Sequence, residues 1–177
     1  FHFDFIEVEM KGISRAINYG ISRSYQYDAI VTMANDILMP DSWLLRMVEA
    51  ALNIPNTGMC GIHCVEGINP LQTINGIQIH PQDASFGNVL IPMAAIEKIG
   101  YFNEAYDPYG MQDRDFAERA TIAGFTNYYL PDLRSEHIGH DVGNGTEYRA
   151  MKDASLQRAQ AVWEKYQPIY HTEKKLR

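Results

Sequence analysis

The apolar positions of this chain change period several times, and each change marks an element. Residues 1–10 alternate loosely, with Phe3, Phe5, Ile6 and Val8 on the apolar side, and predict a strand or strand end. Lys11-Gly12 signals a turn, and Ser14 is placed to cap a helix over 15–25 with Ala16, Ile17, Gly20 and Ile21 on its apolar face. Residues 28–33 are an apolar run without alternation, which predicts a strand covered on both faces, as in a parallel sheet. Pro40 and Asp41-Ser42 open a helix over 43–53, with Leu44, Leu45, Met47, Val48 and Leu52 expected inward. A further strand over 58–65 completes a βαβ unit, whose crossover should be right-handed.

Beyond it, residues 67–82 are polar with scattered Ile and read as a loop or short hairpin. Strands are predicted over 85–91 and over 125–130, the latter bounded by Pro131. Helices are predicted over 93–99, stopped by Gly100, and over 112–123, closed by Gly124. An aromatic loop over 101–110 lies between those helices, and a Gly- and His-rich loop spans 135–145. The last helix, over 147–166, carries Ala150, Ala154, Leu156, Ala159, Val162 and Trp163, and should pack on the rest. The basic tail 171–177 should fray. The order is that of one α/β domain over 1–177, with helices flanking a mostly parallel sheet.

Composition narrows the function classes. Fifteen Lys+Arg against 22 Asp+Glu leave a net charge of −7, with no basic tract. That is a poor footprint for nucleic acid, which needs clustered cations. No apolar stretch approaches the ~18 residues of a membrane span. Cys60 and Cys64 bracket His63 at C-x3-C spacing. Two such ligands do not make a structural zinc site, so both read as half-buried thiols. A reducing, cytoplasmic compartment is the expectation, with a membrane-peripheral place as its variant.

Four constellations carry candidate chemistry. Asn35-Asp36 ends an apolar strand, where α/β sheets bind ligands. It reads as a strand-end turn or as an oxygen site for a hard cation holding a diphosphate. Asp113 and Asp115 lie in the first turn of a helix. Asp115 suits a structural pair with Arg119 four residues on, which leaves Asp113 for proton transfer. His137 and His140 stand in the Gly-rich loop, where either is a possible metal ligand. The glycine turn at Lys11-Gly12, leading into Arg15, is a possible anion site through backbone amides.

In this order and spacing, from about Ile6 to Tyr166, the chain resembles the family 2 glycosyltransferases of the GT-A fold. The stretch Lys11 to Gly20 looks like the family's N-x-G-x-x-x-A-x-N-x-G segment, and Tyr27 to Trp43 like the strand ending in D-x-D. Gly87-Asn88-Val89-Leu90 and Ile99 to Glu104 look like the acceptor-side strand and its turn. Tyr109 to Arg119 looks like y-G-x-E-D-x-D-l-x-x-R, and Glu136 to Gly139 like the late metal histidine. The resemblance implies a Rossmann-like α/β fold of GT-A type. It implies inverting, hexosyl-type transfer from a UDP- or GDP-sugar to a glycan, lipid-linked or protein hydroxyl. It assigns Asp113 as catalytic base, Asp36 and His137 as ligands of a divalent cation (Mn2+ or Mg2+), Lys11, Arg15, Asn18 and Asn35 to the donor, and Gly87, Asn88 and Gln112 to the acceptor side. The acceptor should rest against 66–86 and the aromatic 101–109 loop, at Tyr101, Phe102, Tyr106 and Tyr109.

Three departures accompany the resemblance. The first acid of D-x-D is Ala34, and the Glu of the Glu-Asp pair is Gln112. The strand–helix–strand that opens the family is not seen before Phe1, so the chain is expected to be N-terminally incomplete. These departures favour the competing reading, a catalytically inactive glycosyltransferase-like domain used for binding or assembly. A nucleotidyltransferase would need a Gly- and Lys-rich phosphate loop that the chain does not show. A plain structural α/β domain does not predict acids and a histidine at strand and helix ends.

Overall fold

The computed structural model describes residues 5–7, 12–63, 69–81, 88–138 and 146–173. Its strands are β1 (Ala29–Met33), β2 (Ile37–Leu38), β3 (Thr57–His63), β4 (Gln72–Ile74), β5 (Ile77–Pro81), β6 (Asn88–Pro92), β7 (Thr126–Arg134) and β8 (Glu136–His137). Its helices are α1 (Ile13–Ser22), α2 (Trp43–Asn53), α3 (Met93–Ile99), α4 (Gln112–Ile122) and α5 (Glu147–Glu173), with one 3-10 turn at Glu104–Tyr106. Among the described residues the main sheet has six strands in the order β1-β6-β3-β7-β5-β4, while β2 and β8 form a separate two-stranded ribbon.

Strand alternation builds two layers of core. Met59, Val89, Ile91 and Tyr129 meet Ile21, Ile96, Ile99 and Phe116 from α1, α3 and α4. Their chain neighbours Cys60, Leu90, Tyr128 and Leu130 face the other way, against Met47 and Ala50 of α2. Both faces of the central strands β3, β6 and β7 are therefore covered. The run over 28–33, expected to be covered on both faces, instead forms β1 at the edge of the sheet among the described residues, half-buried over 29–32 with Met33 exposed.

The α/β class stands, but the expected mostly parallel pairing does not. β6 lies between β1 and β3 and runs opposite to both; among the described residues only β3 and β7 pair in parallel. β1 and β3, joined by α2, share a direction without being neighbours. An apolar run reports two covered faces, which β6 has as fully as any parallel strand, so it carries no information on direction.

Element limits also shift for physical reasons. Residues 72–81 resolve as the hairpin β4–β5, whose Asn75-Gly76 turn has φ of 48° and 83°, the left-handed pair that such a tight turn demands. β7 runs through Pro131 rather than ending before it. The β3–β7 register jumps from Ile62↔Leu130 to His63↔Arg134, so the proline sits in a bulge where no ladder hydrogen bond is needed. Ser14 lies inside α1 rather than capping it, and the buried face there is Ser14, Asn18 and Ile21, with Ala16 and Gly20 exposed. On α2, Met47 and Ala50 are buried, whereas Leu44, Leu45, Val48 and Leu52 point outward, Leu52 at 81% exposure. α5 continues seven residues past the expected end at 166. The expected strand over 1–10 lies mostly outside the described residues, as does Cys64.

Candidate functional site

Strand direction gathers the candidate residues. β1 and β3 both oppose β6, and β7 parallels β3, so the carboxyl ends of β1, β3 and β7 lie together. The Asn35-Asp36 turn follows β1 there. Asn88 opens β6 opposite Met33, at the same end. α4 packs along β3 and β7 and turns into β7 within a few residues, so its N-terminal turn with Asp113 returns to that end as well.

The most specific juxtaposition is made by the β2–β8 ribbon. Its antiparallel register sets Ile37 against His137 and Leu38 against Glu136. His137 Nε2 then lies 3.1 Å from Asp36 Oδ2, with both side chains half-exposed and 101 positions between them. The Ile138 N–H donates to the Asp36 carbonyl at 2.9 Å, which fixes the ribbon's end. Nearby in the fold, Asn88 is 3% exposed and its Oδ1 has no hydrogen-bond partner among the described residues; Thr32 Oγ1 and Ser135 Oγ are likewise buried without one among them. A buried acceptor without a donor costs about 1–3 kcal/mol, so such atoms are ordinarily satisfied by water, an ion or a ligand. Asn35 is exposed in the turn.

The α4 turn places its two acids in different surroundings. Asp115 is fully buried and accepts from Arg119 Nε at 2.8 Å, while Arg119 donates to the carbonyls of Ile99 and Tyr101 at 2.9 and 3.0 Å. Tyr170 Oη adds a 2.6 Å hydrogen bond to Asp115 Oδ1. Burial, then the Asp115 charge, pushes the Tyr170 and Tyr106 hydroxyls well above the usual phenol range. Asp113 is half-exposed, with Oδ1 accepting from the Arg114 N–H at 2.9 Å. Gln112 is buried and its Oε1 takes the Gly110 N–H at 2.8 Å, so this side chain braces the turn.

The start of α1 reads differently in the structure. Its amides already hold an anion, and the anion is the chain's own. Asp107 Oδ1 accepts from the Ser14 N–H at 2.8 Å and Oδ2 from the Arg15 N–H at 3.3 Å. A side chain at Gly12 would lie 2.1 Å from Asp107 Cγ. The Arg15 guanidinium pairs with Glu104 and Asp107, and Asn18 clasps the Phe102 backbone through two 2.9 Å hydrogen bonds. These groups, expected to line the donor pocket, are engaged with the 102–107 segment. Lys11 and Gly87 lie outside the described residues, as does His140.

Of the aromatics expected to receive the acceptor, Phe102 stacks on Phe116 at 4.3 Å and Tyr106 packs against Ala159 and Trp163 in the core. Tyr109 takes Lys152 over its ring. Tyr101 lines a cleft of about 800 Å3 with Tyr25, Glu97, Asn103, Tyr166 and Tyr170, away from Asp36, Asn88 and His137. Tyr170 escaped the sequence reading because it lies beyond the expected helix end. The spacing Trp163, Tyr166, Tyr170 continues the helical stripe and was the available signal.

No protein-family model matches the chain, and no curated protein matches it in sequence. In three dimensions it is similar to a solved structure of GalNAc-T7 with UDP, GalNAc and Mn2+, at a TM-score of 0.56 and 10% identity. The match covers 72% of this chain and 30% of that one, so the chain spans about a third of that protein's length. At this identity the likeness establishes the architecture, an α/β fold of GT-A type.

Proposed function

We propose that this chain is a glycosyltransferase domain that moves a sugar from a nucleoside-diphosphate sugar, of UDP type, to an acceptor hydroxyl with inversion. The observation that carries the reading is the β2–β8 ribbon, which brings Asp36 and His137 within 3.1 Å at the carboxyl end of β1. The fold shared with GalNAc-T7 bound to UDP and Mn2+ supports it.

One carboxylate oxygen and one imidazole nitrogen, with Asn88 Oδ1, which has no partner among the described residues, at the same end, are a donor set that suits Mn2+ or Mg2+ completed by diphosphate oxygens and water. Bound by Asp36 and His137, the cation would supply Lewis-acid neutralisation of the charge on the departing diphosphate. Asp113 is the general base. Its carboxylate takes the proton of the acceptor hydroxyl as that oxygen bonds to the anomeric carbon, and the bond from that carbon to the diphosphate oxygen breaks. Asp115, locked by Arg119 and Tyr170, keeps the turn that carries Asp113 in place.

The test is titration calorimetry of the chain with UDP, with and without Mn2+, together with UDP release from UDP-GalNAc. Mn2+-dependent UDP binding should be lost in Asp36→Ala and His137→Ala. Asp113→Asn should keep that binding and lower UDP release by at least ~100-fold, the scale of a missing general base. Release that survives Asp113→Asn removes Asp113 from the role of base. A second reading, an inactive domain of the same fold, is favoured by Ala34 and by the bracing role of Gln112. It predicts a folded chain that binds neither UDP nor GDP.

A further inference from the structure

Helix α5 meets the 110–115 segment repeatedly. Gly110 lies so close to it that a Cβ there would be 2.9 Å from Leu156 Cδ2 and 3.3 Å from Ala159 Cβ. The Arg114 guanidinium stacks over the Trp163 ring at 4.7 Å. Tyr170 Oη donates to Asp115 Oδ1 at 2.6 Å, and all three members of the Tyr170–Asp115–Arg119 chain are at most 4% exposed. The segment itself is not held by ordinary helical geometry. Gly110 has φ of 110° and Met111, a non-glycine residue, φ of 61°. A turn in such a conformation persists only where its surroundings fix it.

From these contacts we infer that Tyr170 is a positioning residue. Through its bond to Asp115 it holds the 110–115 turn in the one arrangement that presents Asp113 to the acceptor. The role in catalysis rests on Asp113 acting as the base proposed above. Asp115 has two carboxylate oxygens to satisfy inside the protein. Arg119 serves Oδ2, and Tyr170 serves Oδ1. Without the Tyr170 hydroxyl, the buried Oδ1 loses its 2.6 Å hydrogen bond, and the Tyr106 hydroxyl, which also faces this carboxylate, is the neighbour toward which it can turn. The carboxylate then gains by rotating or by admitting water, and either motion is transmitted to Asp113 two residues earlier.

Tyr170→Phe keeps the ring and deletes only the hydroxyl. Tyr166→Phe is the control, because Tyr166 stacks beside Tyr170 with centroids 6.2 Å apart. Two readouts are taken on the full chain: amide hydrogen exchange over 110–116, and the kinetics of UDP release from UDP-GalNAc with Mn2+. In Tyr170→Phe, exchange over 110–116 should rise about tenfold, with the sheet amides of β3 and β7 unchanged. The kcat for UDP release should fall about tenfold at unchanged KM, as expected when a positioned base is loosened without loss of ground-state binding. Tyr166→Phe should leave both as in the parent. Unchanged exchange in Tyr170→Phe overturns the inference, and so does faster exchange with unchanged kcat. A parent chain that releases no UDP refutes the proposed activity instead, and the exchange data still decide whether Tyr170 holds the turn.

Discussion

A single carboxylate organises the start of α1. Asp107 receives the Ser14 and Arg15 amides, and its negative charge sits at the positive end of the helix. Asp107→Ala should therefore cost about 1–2 kcal/mol, read as a lower urea midpoint at unchanged slope. Ser14 has the right identity for a cap, yet its Oγ is buried without a partner among the described residues. The capping group arrives from 93 positions away, and local capping rules see only neighbours. The same distance in sequence explains why a glycine turn before a helix suggested an exogenous anion. The Asp115–Arg119 pair was legible because its partners are one helical turn apart. Tyr170, the third member, reaches Asp115 across 55 positions, and no local rule connects them.

Among elements, α2 separates what periodicity states from what packing chooses. Its sequence, Trp43-Leu-Leu-Arg-Met-Val-Glu-Ala-Ala-Leu-Asn53, is apolar on more than one side. A helix on one face of a sheet buries a single stripe, and here that stripe runs through Met47 and Ala50. Met47→Ala should then cost about 2–5 kcal/mol. Leu45→Gln and Leu52→Gln should change stability by less than about 0.5 kcal/mol, measured by the same urea titration. Equal losses at both kinds of position would mean that the outward leucines are covered in solution. Strand β1 carries the complementary lesson: its apolar run suggested cover on both faces in a parallel sheet, yet among the described residues it is a half-buried edge strand antiparallel to β6. α3 and α4 matched their expected limits closely because glycine closes them, Gly100 at φ 86° and Gly124 at φ 89°.

For the molecule as a whole, buried acids of weak strength set the alkaline limit. Burial pushes the Cys60 thiol from 9.0 up to about 12, and burial likewise raises the Tyr128, Tyr106 and Tyr170 hydroxyls. The folded state keeps these protons where the unfolded chain releases them. Stability from them is complete below about pH 9 and falls as pH rises through 9 to 12. A urea midpoint flat from pH 7 to 8.5 and falling steadily above pH 9 is expected; a midpoint that rises there contradicts the burial. At this scale the candidate site was legible as a set of strand and helix ends, since Asp36, Asn88, Asp113 and His137 do fall at one end of the sheet. What joins Asp36 to His137, however, is a ribbon of two residues per strand that closes a loop of 101 positions. Closing such a loop costs about 4 kcal/mol of chain entropy, far more than two short strands return by themselves. The ribbon can therefore form only after the main sheet has brought its ends together. On the proposed reading, in which Asp36 and His137 would hold the cation, Mn2+ affinity should appear during refolding with the last kinetic phase and not before it, and metal uptake would then time the completion of the fold.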